Sequence, residues 1–149
     1  MRRSKRKSKV FIDANCLIAA ILSPTGGSFA LIENAFKGEF ELYLSEYVLE
    51  ETFSVLKEKY PQNLIIFNLL IGKIKYKLLP EPTQKEVEGL IQYIDFKDAP
   101  VLASAIKGKV DFLITLDKKH FIENPKLKKM KLPFKIMTPG DFLELWQVK

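Results

Sequence analysis

Two short apolar stretches constrain the fold of this chain most. Val10-Phe11-Ile12 runs into Asp13, and Phe112-Leu113-Ile114-Thr115-Leu116 runs into Asp117. Each is short enough for a buried strand, and a new segment starts directly after each acid. After Asp13 comes Asn15 and then an apolar helical segment from Leu17 to Leu22. In open α/β sheets the functional crevice lies beyond the carboxyl ends of the strands. Two strands that each end in an aspartate are therefore expected to carry both acids to one edge of one sheet.

The rest of the chain follows the same alternation. Ser23-Pro24-Thr25-Gly26-Gly27 breaks the first helix. Ser28 is expected to cap a second helix to about Lys37, and Gly38 to stop it. A short strand over 40–44 leads to Ser45, which caps a helix over 46–60. Residues 62–77 read as one helix, apolar on most sides, that should be well buried or sit in an interface. Leu78-Leu79-Pro80 reads as a short extended piece. Thr83 caps a helix to about Tyr93, and Asp98 opens another that Gly108 closes. Lys135-Ile136-Met137 is a last strand, and 142–146 a last helix. Strands alternating with helices predict a parallel sheet covered on both faces.

With 149 residues, nearly half of them hydrophobic, the chain suits one domain with a real core. No apolar run reaches the roughly 18 residues needed to span a bilayer. The basic N-terminus precedes a stretch that contains Asp13 and Asn15, so it makes a poor signal peptide. A cytoplasmic location is the simplest expectation. The single Cys16 excludes an internal disulfide and a Cys-rich metal site, and reads as a small buried side chain.

The net charge of +6 is not spread evenly. Arg2, Arg3, Lys5, Arg6, Lys7 and Lys9 account for the whole excess. Residues 1–8 are thus expected to be a basic, disordered arm on a single domain over 9–149. A second basic cluster follows Asp117: Lys118, Lys119, Lys126, Lys128, Lys129 and Lys131. Such groups favour polyanions through phosphate contacts. Arg2, Arg3, Lys5, Arg6, Lys7, Lys118 and Lys119 are the nucleic-acid-binding candidates, with a solvated tail and a solvated face as the plain alternatives.

Asp13 and Asp117 need partners. Asp98 sits at a helix start on the approach to the second strand. The 46–60 helix offers Glu46, Glu50, Glu51 and Glu58, and helical spacing alone does not choose among them. Two carboxylates 4 Å apart repel by roughly 4 kcal/mol at an effective dielectric near 20. Such a cluster holds protons, uses neighbouring cations such as Lys97 and Lys118, or binds a divalent ion. Oxygen-only ligands favour Mg²⁺ or Mn²⁺, a setting for phosphodiester hydrolysis. His120, the only histidine, reads as packed or solvated rather than as a base.

Phe11-Ile12-Asp13-Ala14-Asn15, Ser45 with Glu51 six residues on, Asp98-Ala99-Pro100-Val101-Leu102-Ala103-Ser104-Ala105 and Leu113-Ile114-Thr115-Leu116-Asp117 occur in this order and spacing. Together they resemble the PIN-domain nucleases, in particular the toxin components of prokaryotic toxin–antitoxin pairs, over about residues 9 to 146. The resemblance implies a three-layer α/β/α sandwich with a mainly parallel sheet of four to five strands. It also implies a metal-dependent ribonuclease that acts on single-stranded RNA, and a small antitoxin partner covering the acidic cleft. Family members often form homodimers, and the apolar helices over 46–77 would offer the surface. Asp13, Glu51, Asp98 and Asp117 match the four acidic positions, expected to be catalytic and to hold Mg²⁺ or Mn²⁺. Asn15 and Thr115 match the supporting ones. The family's Ser-to-Glu spacing selects Glu51 over Glu50. Asp95 and Asp111 match no core position and are expected nearby or facing solvent. The basic arm is not part of the family pattern. A non-catalytic RNA or ribonucleoprotein binding module on the same fold is the alternative. A phosphatase with Asp13 as nucleophile is disfavoured because Asn15 stands where a second Asp belongs.

Overall fold

The computed structural model describes residues 6–147. Arg2, Arg3 and Lys5 of the basic arm lie outside them. In chain order the elements are β1 (Lys9–Ile12), α1 (Ala14–Leu22), α2 (Gly27–Phe36), β2 (Glu41–Leu44), α3 (Glu46–Lys59), α4 (Leu64–Lys73), β3 (Tyr76–Leu78), α5 (Gln84–Glu88), α6 (Ala99–Gly108), β4 (Phe112–Ile114), α7 (Pro125–Lys129), β5 (Lys135–Met137) and α8 (Pro139–Gln147). A 3-10 turn (Pro61–Asn63) precedes α4, and one π-helical turn (Lys118–Ile122) follows β4.

The five strands form one all-parallel sheet in the order β3-β2-β1-β4-β5. Crossovers between parallel strands are right-handed in nearly all proteins. The connections that move outward from β1 to β3 therefore place α1–α4 on one face, and those from β3 to β5 place α5–α7 on the other. α8 returns to pack on α2. The strand order reverses between β1 and β4, which is the position where such sheets open a crevice. In register, Phe11 lies between Tyr43 and Leu113, and Ile12 pairs with Ile114.

Val10, Phe11, Leu44, Leu113 and Ile114 are fully buried, because the three inner strands β1, β2 and β4 are covered on both faces. Phe40, Phe112, Phe142 and Trp146 form one edge-to-face and stacked aromatic cluster that locks α8 in place, and Phe121 and Phe134 are core residues. Cys16 is buried under β4, and its thiol is held well above its usual pKa by burial.

Several element boundaries differ from the sequence expectation. α1 starts at Ala14 because Asp13 caps it. Gly26, not Ser28, stands at the start of α2, and Ser28 is buried inside it. The expected helix over 62–77 is three elements, and Tyr76–Leu78 leaves it to become the outer strand of the sheet. It is not well buried either: Phe67 packs inward, while Ile65, Ile66 and Leu69 are exposed. The helix capped by Thr83 ends at Glu88, despite a full capping box with Glu86. Gly38 ends α2 with φ of 84°, as expected. α6 does end at Gly108, but Lys109 holds the left-handed position (φ 54°), and Gly108, without a side chain, leaves room for Leu79 where a Cβ would stand. Among the described residues no single helix is long and apolar enough to cross a membrane.

Candidate active site

Asp13 and Asp117 emerge at the same edge of the sheet, from the adjacent strands β1 and β4. Asp13 is almost fully buried at 5% exposure. Its Oδ1 accepts the Ala14 N–H at 2.7 Å, capping α1. Its Oδ2 accepts the Thr115 hydroxyl at 3.0 Å and the Asn15 amide at 3.4 Å. Thr115 Oγ1 in turn accepts Asn15 Nδ2 at 3.1 Å and the Asp117 N–H at 3.1 Å. Asn15 Oδ1 accepts the Leu116 N–H at 3.0 Å. The hydroxyl thus donates once and accepts twice, which is its full capacity. This network fixes the Asp13 carboxylate and ties the start of α1 to the end of β4. Asn15 and Thr115, expected as supporting residues, form its centre.

Asp98 and Glu51 come from the helices flanking this edge. Asp98 stands at the N-terminus of α6, yet its carboxylate does not cap the helix. The side chain is turned toward Asp117 and His120 instead. Ser45 does cap α3, accepting the Val48 N–H at 3.1 Å. On that helix Tyr47 and Glu51 lie one turn apart on the same face. The Tyr47 hydroxyl donates to the Lys97 carbonyl at 2.7 Å, which joins α3 to the loop before Asp98. Glu51 therefore faces the other acids, whereas Glu50 lines an open apolar groove with Leu49, Phe53, Phe67 and Ile71.

The electrostatics record the convergence. Burial raises the Asp13 carboxyl to about 7, the hydrogen bonds from Ala14 and Thr115 oppose the shift, and Glu51 and Asp98 add to it. Glu51 is raised by burial and by Asp98, with Lys97 opposing. Asp98 is raised by burial and by the charge of Asp117, which His120 and Lys97 partly offset. The Tyr47 hydroxyl is raised by burial and then by Glu51, Asp98 and Asp13. Each shift comes first from burial, and the neighbouring acids add to it, as in a half-dry crevice that carries excess negative charge.

His120 is the residue that sequence reasoning underrated. It lies on the π-helical turn after β4, where its Nδ1 is 2.9 Å from Asp117 Oδ2 and 3.9 Å from Asp98 Oδ2. Asp98, Asp117 and His120 offer ligand atoms that all lie within 4.8 Å of one another. The only advance signal was the i, i+3 spacing from Asp117, and it required knowing that the segment turns there. Tyr47 was unreadable for the same reason, since its partner lies 50 residues away in sequence.

The remaining candidates separate. Lys118 and Lys119 are exposed beside the acids. Arg6 sits at the opposite edge of the sheet, with both guanidinium nitrogens on Asp111 at 3.0 and 3.1 Å. Asp111 also accepts the Lys9 N–H and has its carboxyl lowered by Arg6, against a raising effect of burial. It thus belongs to the start of β4, far from the crevice. Lys7 is exposed at the same far edge, and Asp95 accepts the Lys97 N–H in the loop before Asp98.

Known proteins match this arrangement at two levels. No curated protein sequence gives a significant match. Among solved structures, VapBC2 from Rickettsia felis, bound to a DNA fragment from its promoter, has a chain that superposes with a TM-score of 0.62 at 17% identity, covering 87% of this chain and 98% of that one. PAE2754 from Pyrobaculum aerophilum gives 0.66 at 16%, covering 95% and 91%. VapC20 from Mycobacterium tuberculosis, described as a Sarcin-Ricin loop cleaving toxin, gives 0.52 at 14%, covering 74% and 91%. At such identities the likeness concerns the fold. The PIN domain family model, however, matches residues 9–119, from the first strand through Asp117 to the turn that carries His120. The chain belongs to the PIN-domain family.

Proposed function

We propose that this protein is a divalent-metal-dependent endoribonuclease that hydrolyses phosphodiester bonds of RNA, and that it acts in the cytoplasm as the toxin of a toxin–antitoxin pair. The observation that carries this reading is the set of raised carboxyls, Asp13, Glu51 and Asp98, next to Asp117 at the switch point of the sheet. Oxygen donors held together against their own repulsion fit a hard cation, Mg²⁺ or Mn²⁺. Asp13, Glu51, Asp98 and Asp117 would hold it. Once bound, the ion would neutralise charge on a phosphodiester and make water more acidic.

The protein's own groups do the rest. Asn15 and Thr115 hold Asp13 in one orientation. Lys118 and Lys119, exposed and directly after Asp117 in sequence, would pair with phosphates flanking the reacting one. The toxin assignment is supported by family membership and by neighbours named as VapBC proteins and a cleaving toxin. A small antitoxin laid over the acidic cleft would shut access to it. The exposed Ile65, Ile66 and Leu69 on α4, beside the groove along α3, suit a homodimer contact.

Cleavage of a structured RNA pool tests the proposal, with Mg²⁺, Mn²⁺ or chelator, wild type against Asp13→Asn. Cleavage should require the ion and disappear in the variant. RNA binding that survives chelation, without any cleavage in Mn²⁺, would replace the enzyme with a non-catalytic RNA or ribonucleoprotein binding module.

A further inference from the structure

The cluster on the α6–β4 side of the crevice differs from an all-carboxylate site in one respect. It contains a nitrogen donor. We infer that His120 is a direct ligand of the ion held by Asp98 and Asp117, and that this nitrogen biases the site toward Mn²⁺ over Mg²⁺. The inference rests on the metal-dependent reading above and assigns one more residue to the same centre.

Three observations carry it. First, the spacing suits a single ion. Bonds of about 2.1 Å place octahedral ligands roughly 3.0 Å apart when adjacent and about 4.2 Å apart when opposite. His120 Nδ1 is 2.9 Å from Asp117 Oδ2, a hydrogen bond in the ion-free protein that matches the adjacent spacing once Nδ1 gives up its proton to bind the ion, and 3.9 Å from Asp98 Oδ2, within the span. Second, the histidine is held in place before any ion arrives. Asp117 Oδ1 accepts the His120 N–H at 2.9 Å, leaving Oδ2 beside the ring. Asn124 Nδ2 donates to the His120 carbonyl at 2.8 Å and to the Tyr93 carbonyl at 3.0 Å. The next residue, Phe121, is buried in the core. Third, the carboxylate of Asp13 is held by Ala14, Asn15 and Thr115, so the ring adds a donor without competing for the hydrogen bonds of Asp13.

A nitrogen ligand changes which ions bind well. Mg²⁺ prefers oxygen and its own water, whereas Mn²⁺, at the weak end of the transition series, shares that preference for oxygen but accepts an imidazole nitrogen more readily than Mg²⁺ does. In the competing role, His120 would only donate to Asp117 and orient it from outside the ion's ligand shell. That role predicts a hydrogen bond to Asp117 and no bond from nitrogen to metal.

The chain has one histidine, so a spectroscopic signal from imidazole can have only one source. Pulsed electron paramagnetic resonance of the untagged, Mn²⁺-loaded full chain should show directly bonded nitrogen, and His120→Asp should abolish it. His120→Asp supplies oxygen in place of nitrogen, so calorimetric competition should show the preference for Mn²⁺ over Mg²⁺ falling about tenfold. Mn²⁺ bound without nitrogen coupling, or a preference unchanged in His120→Asp, overturns this assignment and leaves the nuclease reading standing. No Mn²⁺ binding by the wild type, together with RNA cleavage that survives chelation, overturns both.

Discussion

Replacing Asp13 with asparagine should stabilise the metal-free protein at high pH and destabilise it at low pH. The Asp13 carboxyl stands at about 7 in the folded chain against 3.8 for the free group, chiefly through burial. Between those values the folded chain keeps a proton that the unfolded chain has released. Stability therefore falls as pH rises through this window, and the loss is complete above about 7. At 1.36 kcal/mol per unit, about three units amount to roughly 4 kcal/mol. Asparagine carries no charge and so escapes that loss. It still offers an oxygen to the Ala14 N–H. Its amide, however, meets a Thr115 oxygen that already accepts two N–H groups, a mismatch of about 1 kcal/mol. The net expectation in chelator is a gain of about 3 kcal/mol at pH 8, a gain under about 1 kcal/mol at pH 5, and a loss of about 1 kcal/mol near pH 3, below the free carboxyl value. For a chain of this length, about 3 °C per kcal/mol turns the gain into a rise in melting temperature near 9 °C. Urea unfolding of both proteins at pH 3, 5, 6.5 and 8 in chelator should give curves that cross at about pH 4.5. Parallel curves, or a variant less stable at pH 8, would refute the account of Asp13 as a buried carboxylate that pays for its ionisation.

Other perturbations address the surrounding structure. Saturating Mn²⁺ at about 100 times its dissociation constant should add roughly 2.7 kcal/mol to the wild type at pH 8 and much less to Asp13→Asn, read by thermal unfolding. Thr115→Val keeps the volume but removes the partner of Asp13, Asn15 and the Asp117 N–H. It should cost about 2–3 kcal/mol in urea unfolding and slow RNA cleavage. Lys109→Gly relieves a left-handed residue and should raise stability by up to about 1 kcal/mol, with unchanged cleavage. Phe121→Ala empties a buried site beneath the His120 turn and should cost about 3–5 kcal/mol. Its Mn²⁺ affinity, measured where the variant remains folded, should fall with it.

Much of the fold was legible because its signals are local. The runs 10–12 and 112–114 form buried strands as expected, although the second stops at Ile114 and leaves Leu116 exposed. The caps Ser45 and Thr83 act on N–H groups three residues away. Gly38 ends its helix because glycine tolerates a positive φ. The errors came where tertiary packing outweighed local preference. Residues 62–77 carry enough Ile and Leu for one long helix, but Tyr76–Leu78 gains ladder bonds to β2 that only the assembled sheet provides. Gly108 closes α6 as expected, yet the left-handed turn falls on Lys109, and the missing side chain of Gly108 serves Leu79, 29 positions earlier in the chain.

The candidate site divides the same way. From sequence alone, the strand-end acids Asp13 and Asp117 were bound for one edge of a parallel sheet, since strand ends and their order are written in short-range pattern. The choice of Glu51 over Glu50 needed a family spacing, because both flank the apolar stripe of one helix. Only the tertiary structure turns Glu51 with Tyr47 toward the crevice and Glu50 toward the groove. It alone releases Asp98 from capping and brings His120 to within 2.9 Å of Asp117. Those outcomes depend on how helices from distant parts of the chain settle against the sheet, and no local pattern encodes that docking.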